Sequence, residues 1–177
     1  SHLKDIQFAN RSDFMELDYF TWRNLEVTET LRNKAKKGSL LWVLDKTQTA
    51  MGARKLRKFL ERPLINIQEI LKRQGAVSEL FSRTAERDEI QQLLSGVRDI
   101  ERLSSKLVYD TLTPRDMRAL SSSFAVLPRL REILSGFSSD ALVRIFNTTD
   151  PLDDLYKLID DAIVDEPPIT TREGNVI

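Results

Sequence analysis

The sequence predicts a mostly α-helical fold with one minor β element, a small hairpin. Three observations carry that expectation. Apolar residues recur at three- and four-residue steps over most of the chain, the spacing that lines one face of a helix; Met117, Leu120, Phe124 and Leu127 form one such series. Punctuation brackets these series, with capping types such as Ser39, Asp99 and Thr113 before them and Gly96, Gly136 or Pro167-Pro168 after them. Period-two alternation, the mark of a half-buried strand, is confined to one short stretch near the N-terminus.

Ser1-His2 reads as the scar of a cleaved tag, leaving 3–177 as a single helical domain. Met15, Leu17 and Tyr19 alternate, and with Leu25, Glu26 and Val27 beyond a polar break they predict the hairpin. The run NKAKKG at 33–38 is a charged, solvated loop. Ser39 then caps a helix in which Leu40, Leu41, Val43 and Leu44 are apolar around most of the circumference, a pattern that implies burial. Asp45, Lys46, Thr47, Gln48 and Thr49 interrupt it with side chains that compete for backbone hydrogen bonds. Met51, Leu56, Phe59 and Leu60 restart the helical spacing, and Pro63 blocks it.

Asn66 and Glu69 make a capping-box-like pair before Ile67, Ile70, Leu71, Val77, Leu80 and Phe81. A helix over about 87–94 turns Ile90, Leu93 and Leu94 inward and ends at Gly96. Asp99 starts the next, with Ile100, Leu103 and Leu107 on one stripe. Thr113-Pro114 supplies an N-cap and a proline at the first helical position. Pro128 forces a kink or a fresh start, after which Leu130, Ile133 and Leu134 continue the pattern. A short helix covers 140–146. Asp150-Pro151 caps a last one, with Asp153 and Asp154 in its first turn and Leu152, Leu155 and Ile159 on its apolar face, until Pro167-Pro168 stops it. Asn175-Val176-Ile177 ends like a cut strand.

A chain of 177 residues buries roughly 70% of its unfolded surface, enough for one domain or an elongated one with two lobes. With no cysteine there is no disulfide and no thiolate metal site, and the single histidine is His2. Lys+Arg and Asp+Glu both number 27, so no global charge draws the chain to nucleic acid. The apolar run from Leu40 to Leu44 is far too short to span a bilayer, and no signal-peptide core is present. The composition reads as soluble and cytoplasmic.

No G-x-x-x-x-G-K-[ST] loop, H-E-x-x-H pair or G-x-S-x-G elbow occurs, so no catalytic, cofactor-binding or metal residue is assigned. The run Asp153, Asp154, Asp160, Asp161, Asp165 and Glu166 reads as a solvated acidic face, with a metal site as the lesser reading, because adjacent helical carboxylates point about 100° apart. Lys55, Arg57 and Lys58, with Arg54 and Arg62, form the densest basic run. Long basic stems commonly lie over apolar neighbours, here Leu56, Phe59 and Leu60, so a solvated face precedes an interdomain contact and then a DNA contact in order of expectation. Arg102 and Arg115, beside Glu101 and Asp116, read as ion-paired, and Trp22 and Trp42 as core or domain-interface anchors.

The residues Leu44-Asp45, Thr47, Thr49, Met51-Gly52, Arg54, Leu56 and Pro63 resemble the LD-x-T-x-T-x-MG-x-R-x-L…P signature of the bacterial MutS mismatch-repair family. The order of further matches agrees: Met15-Glu16-Leu17-Asp18 with Thr21 and Arg23-Asn24-Leu25-Glu26; then Arg73, Val77 and Leu80; then Asp99-Ile100-Glu101-Arg102-Leu103. Pro114-Arg115-Asp116-Met117 with Leu120 follows, then Glu166-Pro167-Pro168 and Arg172-Glu173-Gly174. Phe59 stands where the family often has Trp, and Asn175 where a second Gly is common. The resemblance implies the first segment of the core and lever domain, domain III, of a larger protein. It implies that the parent binds mismatched double-stranded DNA and hydrolyses ATP with Mg, works as a homodimer, and surrounds this segment with ATPase, connector and clamp domains. On that reading the segment links the ATPase domain to the clamp and holds no catalytic site.

Within the segment, Asp45, Thr47, Thr49, Gly52 and Arg54 are the candidate interdomain joint. They concentrate hydrogen-bonding groups between two apolar helices, and buried polar groups must find partners. Gly52 costs about 1 kcal/mol in a helix unless something approaches closely there, and the Arg54 fork suits carbonyls or a carboxylate across an interface. From residues alone, a stand-alone helical scaffold binding a partner protein is the alternative; a helix-turn-helix nucleic-acid binder is disfavoured by charge neutrality.

Overall fold

The structure, a computed structural model, describes residues 13–168. Ser1-His2, Arg172-Glu173-Gly174 and the terminal Asn175-Val176-Ile177 lie outside them. Among the described residues ten helices follow one another: α1 Tyr19–Asn24, α2 Leu40–Leu44, α3 Ala50–Glu61, α4 Ile67–Ser82, α5 Thr84–Ser95, α6 Ile100–Val108, α7 Pro114–Phe124, α8 Leu127–Leu134, α9 Asp140–Thr148 and α10 Asp153–Ala162. The fold class is mostly α, as the sequence predicts.

The hairpin is not formed. Asp18 caps α1 instead, its carboxylate accepting from the Thr21 amide at 2.9 Å and the Thr21 hydroxyl at 2.6 Å. A carboxylate three residues before a free N–H outcompetes weak period-two patterning. Glu26, expected in the second strand, sits at φ 48°, and its side chain accepts from the Leu31 amide. What pairing remains is one antiparallel bridge, Phe14 to Leu64, flanked by Met15 N–H to the Pro63 carbonyl and Ile65 N–H to the Asp13 carbonyl.

The described residues divide into two compact units, one of 13–46 with 54–74, the other of 47–53 with 75–168; α3 and α4 contribute to both. In the first unit Val27, Thr28, Ser39 and Leu41 are buried, and the Leu40 and Leu41 amides donate to the Glu26 and Val27 carbonyls. The remainder of α2 is not buried, against expectation: Leu40, Trp42, Val43 and Leu44 are all exposed, Trp42 at 47%.

The second unit holds two apolar clusters. Ala76 of α4, Ile133 and Leu134 of α8, Phe137 of the loop that follows and Leu142 of α9 form one, with Ile90 and Leu93 of α5 against it. Leu103 of α6, Leu120 and Phe124 of α7 and Ile159 of α10 form the other, with Met117, Leu152 and Tyr156 packed around them. The stripes of α7 and α8 supply these cores, but most of the stripe expected on α4 does not: Ile67, Leu71, Val77 and Phe81 are exposed, as is Leu107 of α6.

Boundaries follow the caps. Thr113 and Asp116 make a full capping box, each side chain accepting from the other's amide, with Pro114 in the first turn. Asp99 accepts from Arg102 N–H, and Asn66 from Glu69 N–H. Pro128 marks a fresh start: α7 ends at Phe124 and α8 begins at Leu127. Three expected boundaries move. The helix placed at 87–94 begins at Thr84. Asp150-Pro151 is not its helix's start; Asp150 accepts from Leu152 N–H, Leu152 takes φ 55°, and α10 begins at Asp153. That helix also ends at Ala162, before Pro167-Pro168 is reached.

The loop between α8 and α9 is gripped from both sides by residues four apart on the chain. Glu79 accepts from the Ser138 amide at 2.7 Å, the Ser138 hydroxyl at 3.0 Å and the Ser139 amide at 2.8 Å. The Ser139 hydroxyl lies by the same carboxylate but off hydrogen-bonding geometry, the one buried side-chain oxygen among the described residues without a partner. The Ser139 hydroxyl and these donors hold the Glu79 carboxyl down at about 2 against the ordinary 4.5. Arg83 donates to the Gly136 carbonyl, pairs with Glu86 at 2.6 Å and lies over the Phe137 ring at 4.4 Å.

Two outcomes follow. Because the folded carboxyl titrates below its unfolded value, its contribution is complete above about pH 4.5 and lost as pH falls towards 2. The melting-temperature gap between the wild type and Glu79→Gln should thus be constant above pH 5 and close by pH 2; a gap unchanged at pH 2 contradicts the assignment. Thr113→Ala removes half of the capping box and should cost about 1 kcal/mol in urea denaturation without changing the denaturant slope.

Candidate functional site

The polar turn between α2 and α3 is built from its caps. Ser39, fully buried, starts α2: its hydroxyl donates to the Lys36 carbonyl at 2.7 Å and accepts from the Trp42 amide at 3.2 Å. Asp45 closes that helix, its amide donating to the Leu41 carbonyl at 2.9 Å. The Asp45 carboxylate meets the Lys36 ammonium at 2.7 Å. Lys36 comes from the run read as a solvated loop, and no sequence signal identifies it as the partner. The Asp45 side chain is 14% exposed but that of Lys36 is 55% exposed, so the pair remains open to solvent screening.

Thr47, Thr49 and Gly52 come together in the second unit. Thr49 caps α3: its hydroxyl accepts from the Gly52 amide at 2.9 Å and its carbonyl from Ala53 N–H at 3.0 Å. A Cβ on Gly52 would stand 3.0 Å from Thr49 Oγ1 and 3.3 Å from Thr47 Cβ. Those contacts are the close approach that justifies glycine in the first turn of a helix. In the first unit Arg54 is exposed on α3.

The basic run is largely engaged within the chain. The Lys55 ammonium lies 5.1 Å from the Phe59 ring centre, Arg57 pairs with Glu61 at 2.8 Å, and Arg62 lies 4.7 Å over Phe14. Lys58 is exposed in the last turn of α3. Arg73 lies 3.8 Å over the Phe59 ring. A ring face attracts a guanidinium.

The other sequence-singled residues have different partners from those expected. Asp116 pairs with Lys106 at 2.8 Å, not with an arginine. Arg115 donates to the Pro167 carbonyl. In the acidic run, Asp160 and Asp165 both meet Arg118, while Asp153, Asp154, Asp161 and Glu166 are exposed. Trp22 is half-buried, and Trp42 is too exposed to anchor a core.

The turn and both its caps therefore use the residues of the motif. The sequence profile of MutS domain III matches residues 20–177. The chain belongs to the MutS domain III family. The DNA mismatch repair protein MutS of Lachnoclostridium phytofermentans is 49% identical over 177 residues, which are 100% of this chain and 19% of that protein. The MutS of Caldanaerobacter subterraneus subsp. tengcongensis is 48% identical over 176 residues, and that of Staphylococcus carnosus 43%, each covering 99% of this chain and 20% of its own length. This MutS domain III chain spans about a fifth of the curated relatives it matches. No helix among its described residues is long and apolar enough to cross a membrane.

Replacing a helical glycine by alanine ordinarily stabilises by up to about 1 kcal/mol. At Gly52 the sign should reverse, because the new methyl meets the hydroxyl that caps α3. Gly52→Ala should lower the denaturation midpoint, and the loss should shrink when Thr49→Ala is already present. A gain in stability would show that the cap gives way freely.

Proposed function

We propose that this chain is the core and lever segment of a bacterial DNA mismatch-repair MutS. In the parent it would carry movement between the ATPase domain and the clamp that holds mismatched double-stranded DNA. The observation that carries this reading is the match of the entire chain, at 41–49% identity, to proteins named DNA mismatch repair protein MutS. A segment packed among connector, ATPase and clamp domains also accounts for the exposed apolar side chains of α2. The parent is then a cytoplasmic, homodimeric ATPase whose ATP and Mg are held by other domains, and this segment performs no catalysis.

Within that reading, the turn of Asp45, Thr47, Thr49, Gly52 and Arg54 is the joint. What supports it is that Asp45 closes α2 and Thr49 opens α3, and that Arg54 is exposed two residues after Gly52. Lys55, Arg57 and Lys58 are assigned to the solvated face of α3 rather than to DNA, since Lys55 and Arg57 have partners on the same helix.

Arg54→Glu separates these roles. In this chain alone the substitution should leave the melting temperature within about a degree. In a full-length MutS carrying this segment it should weaken ATP-driven release of mismatched DNA while leaving nucleotide-free mismatch affinity nearly intact, as read by fluorescence anisotropy. Normal ATP-driven release removes the joint; a drop of several degrees in the isolated chain assigns Arg54 to the local core instead.

A further inference from the structure

Beyond Ile163, which packs against the cluster of Leu103, Leu120, Phe124 and Ile159, the segment that follows α10 forms no regular element. Ile163 itself is extended, at φ −126° and ψ 128°. Pro167 and Pro168 carry no N–H, so what this stretch offers a neighbour there is carbonyl oxygen. A donor-rich side chain from another element is the partner such a segment requires, and arginine, with five N–H groups in a fixed fork, is the side chain best equipped for it.

Two arginines three residues apart on α7 meet that need. Arg118 Nε donates to the Val164 carbonyl at 2.9 Å, and its two terminal nitrogens reach the Asp160 and Asp165 carboxylates. Arg115 Nε donates to the Pro167 carbonyl at 3.1 Å, and Pro167 is buried. The Arg118 side chain is only 16% exposed. Asp165 is 96% exposed, so its pair adds little, and the Val164 carbonyl and Asp160 are the contacts that matter. The capping box of Thr113 and Asp116 fixes the first turn of α7, where Arg115 sits, so the donor is positioned before the segment arrives. Apolar packing of Ile159 and Tyr156 against Leu120 and Phe124 already holds α10.

We propose that Arg115 and Arg118 are positioning residues that fasten residues 163–168 to α7, so that the course of the chain after α10 is set by α7 and not by α10. The fastening joins residues of two stretches, Arg115 of Pro114-Arg115-Asp116-Met117 and Pro167 of Glu166-Pro167-Pro168. It stands whether or not the segment transmits movement in a parent protein. Load placed on 163–168 passes to α7 through the arginines.

The absence of cysteine allows the test to be made with single nitroxide labels in the full chain. One label goes at Glu166→Cys, and a control at Lys157→Cys on α10; both sites are exposed. With both arginines present, the label at 166 should be restrained. Arg115→Met with Arg118→Met should shorten its rotational correlation time several-fold while the spectrum at 157 stays the same. Arg115→Met alone, at an exposed site, should give the same change in smaller degree even if the double variant folds poorly. An unchanged spectrum at 166 in a folded variant overturns the proposal. So does equal loosening at 157, which would mean that the arginines serve only the core between α7 and α10.

Discussion

Every helix among the described residues is short, the longest being the sixteen residues of α4, and each brings four unpaired amides and four unpaired carbonyls to be satisfied. Helices of this length are marginal on their own, so the fold depends on how their ends are closed as much as on how their faces pack. The α8–α9 loop is where this is most concentrated. Glu79 takes the amides that open α9, and Arg83, one turn on, takes a carbonyl that follows α8. One negative and one positive group four residues apart thus close two helix ends of opposite polarity, as the helix dipole favours. The apolar cluster of Ile133, Leu134, Phe137 and Leu142 sits directly on that loop, so its packing presupposes those closures.

This division explains what could be read from the sequence. Faces were legible because they repeat: Met117, Leu120 and Phe124, or Ile133 and Leu134, fall in the clusters that their spacing predicts. Local caps were legible for a related reason, since Ser39, Asp99 and Thr113 each act within three residues. Closures made at a distance left no trace in spacing. Nothing local ties Glu79 to Ser138, Arg118 to Val164 or Lys36 to Asp45. The hairpin failed for the opposite reason, as period-two residues at 15–19 were overridden by a local contact, the Asp18 carboxylate capping α1.

At the polar turn, the sequence showed part of the local chemistry. The cost of glycine at 52 implied a close approach, and the Thr47 and Thr49 side chains make it. The capping role of Thr49 was hidden among five polar residues, any of which suits a turn. The basic run was divided correctly between stem and charge only once Phe59, Glu61 and Phe14 were in place as partners.

The apolar residues of α2 present the opposite problem. A helix apolar around its circumference belongs in an interior, yet only Leu41, at 4% exposure, is inside. The sequence pattern is not at fault, because periodicity reports that a surface is to be covered and not by what. Val27 and Glu26 receive the Leu41 and Leu40 amides and fix the orientation of the helix, leaving Trp42, Val43 and Leu44 outward. Together these three side chains retain apolar area that would be worth several kcal/mol once removed from water, at roughly 25 cal/mol per Å². The exposure of these side chains thus follows from the backbone bonds that anchor the helix by one face, Leu41 inward and Trp42, Val43 and Leu44 outward.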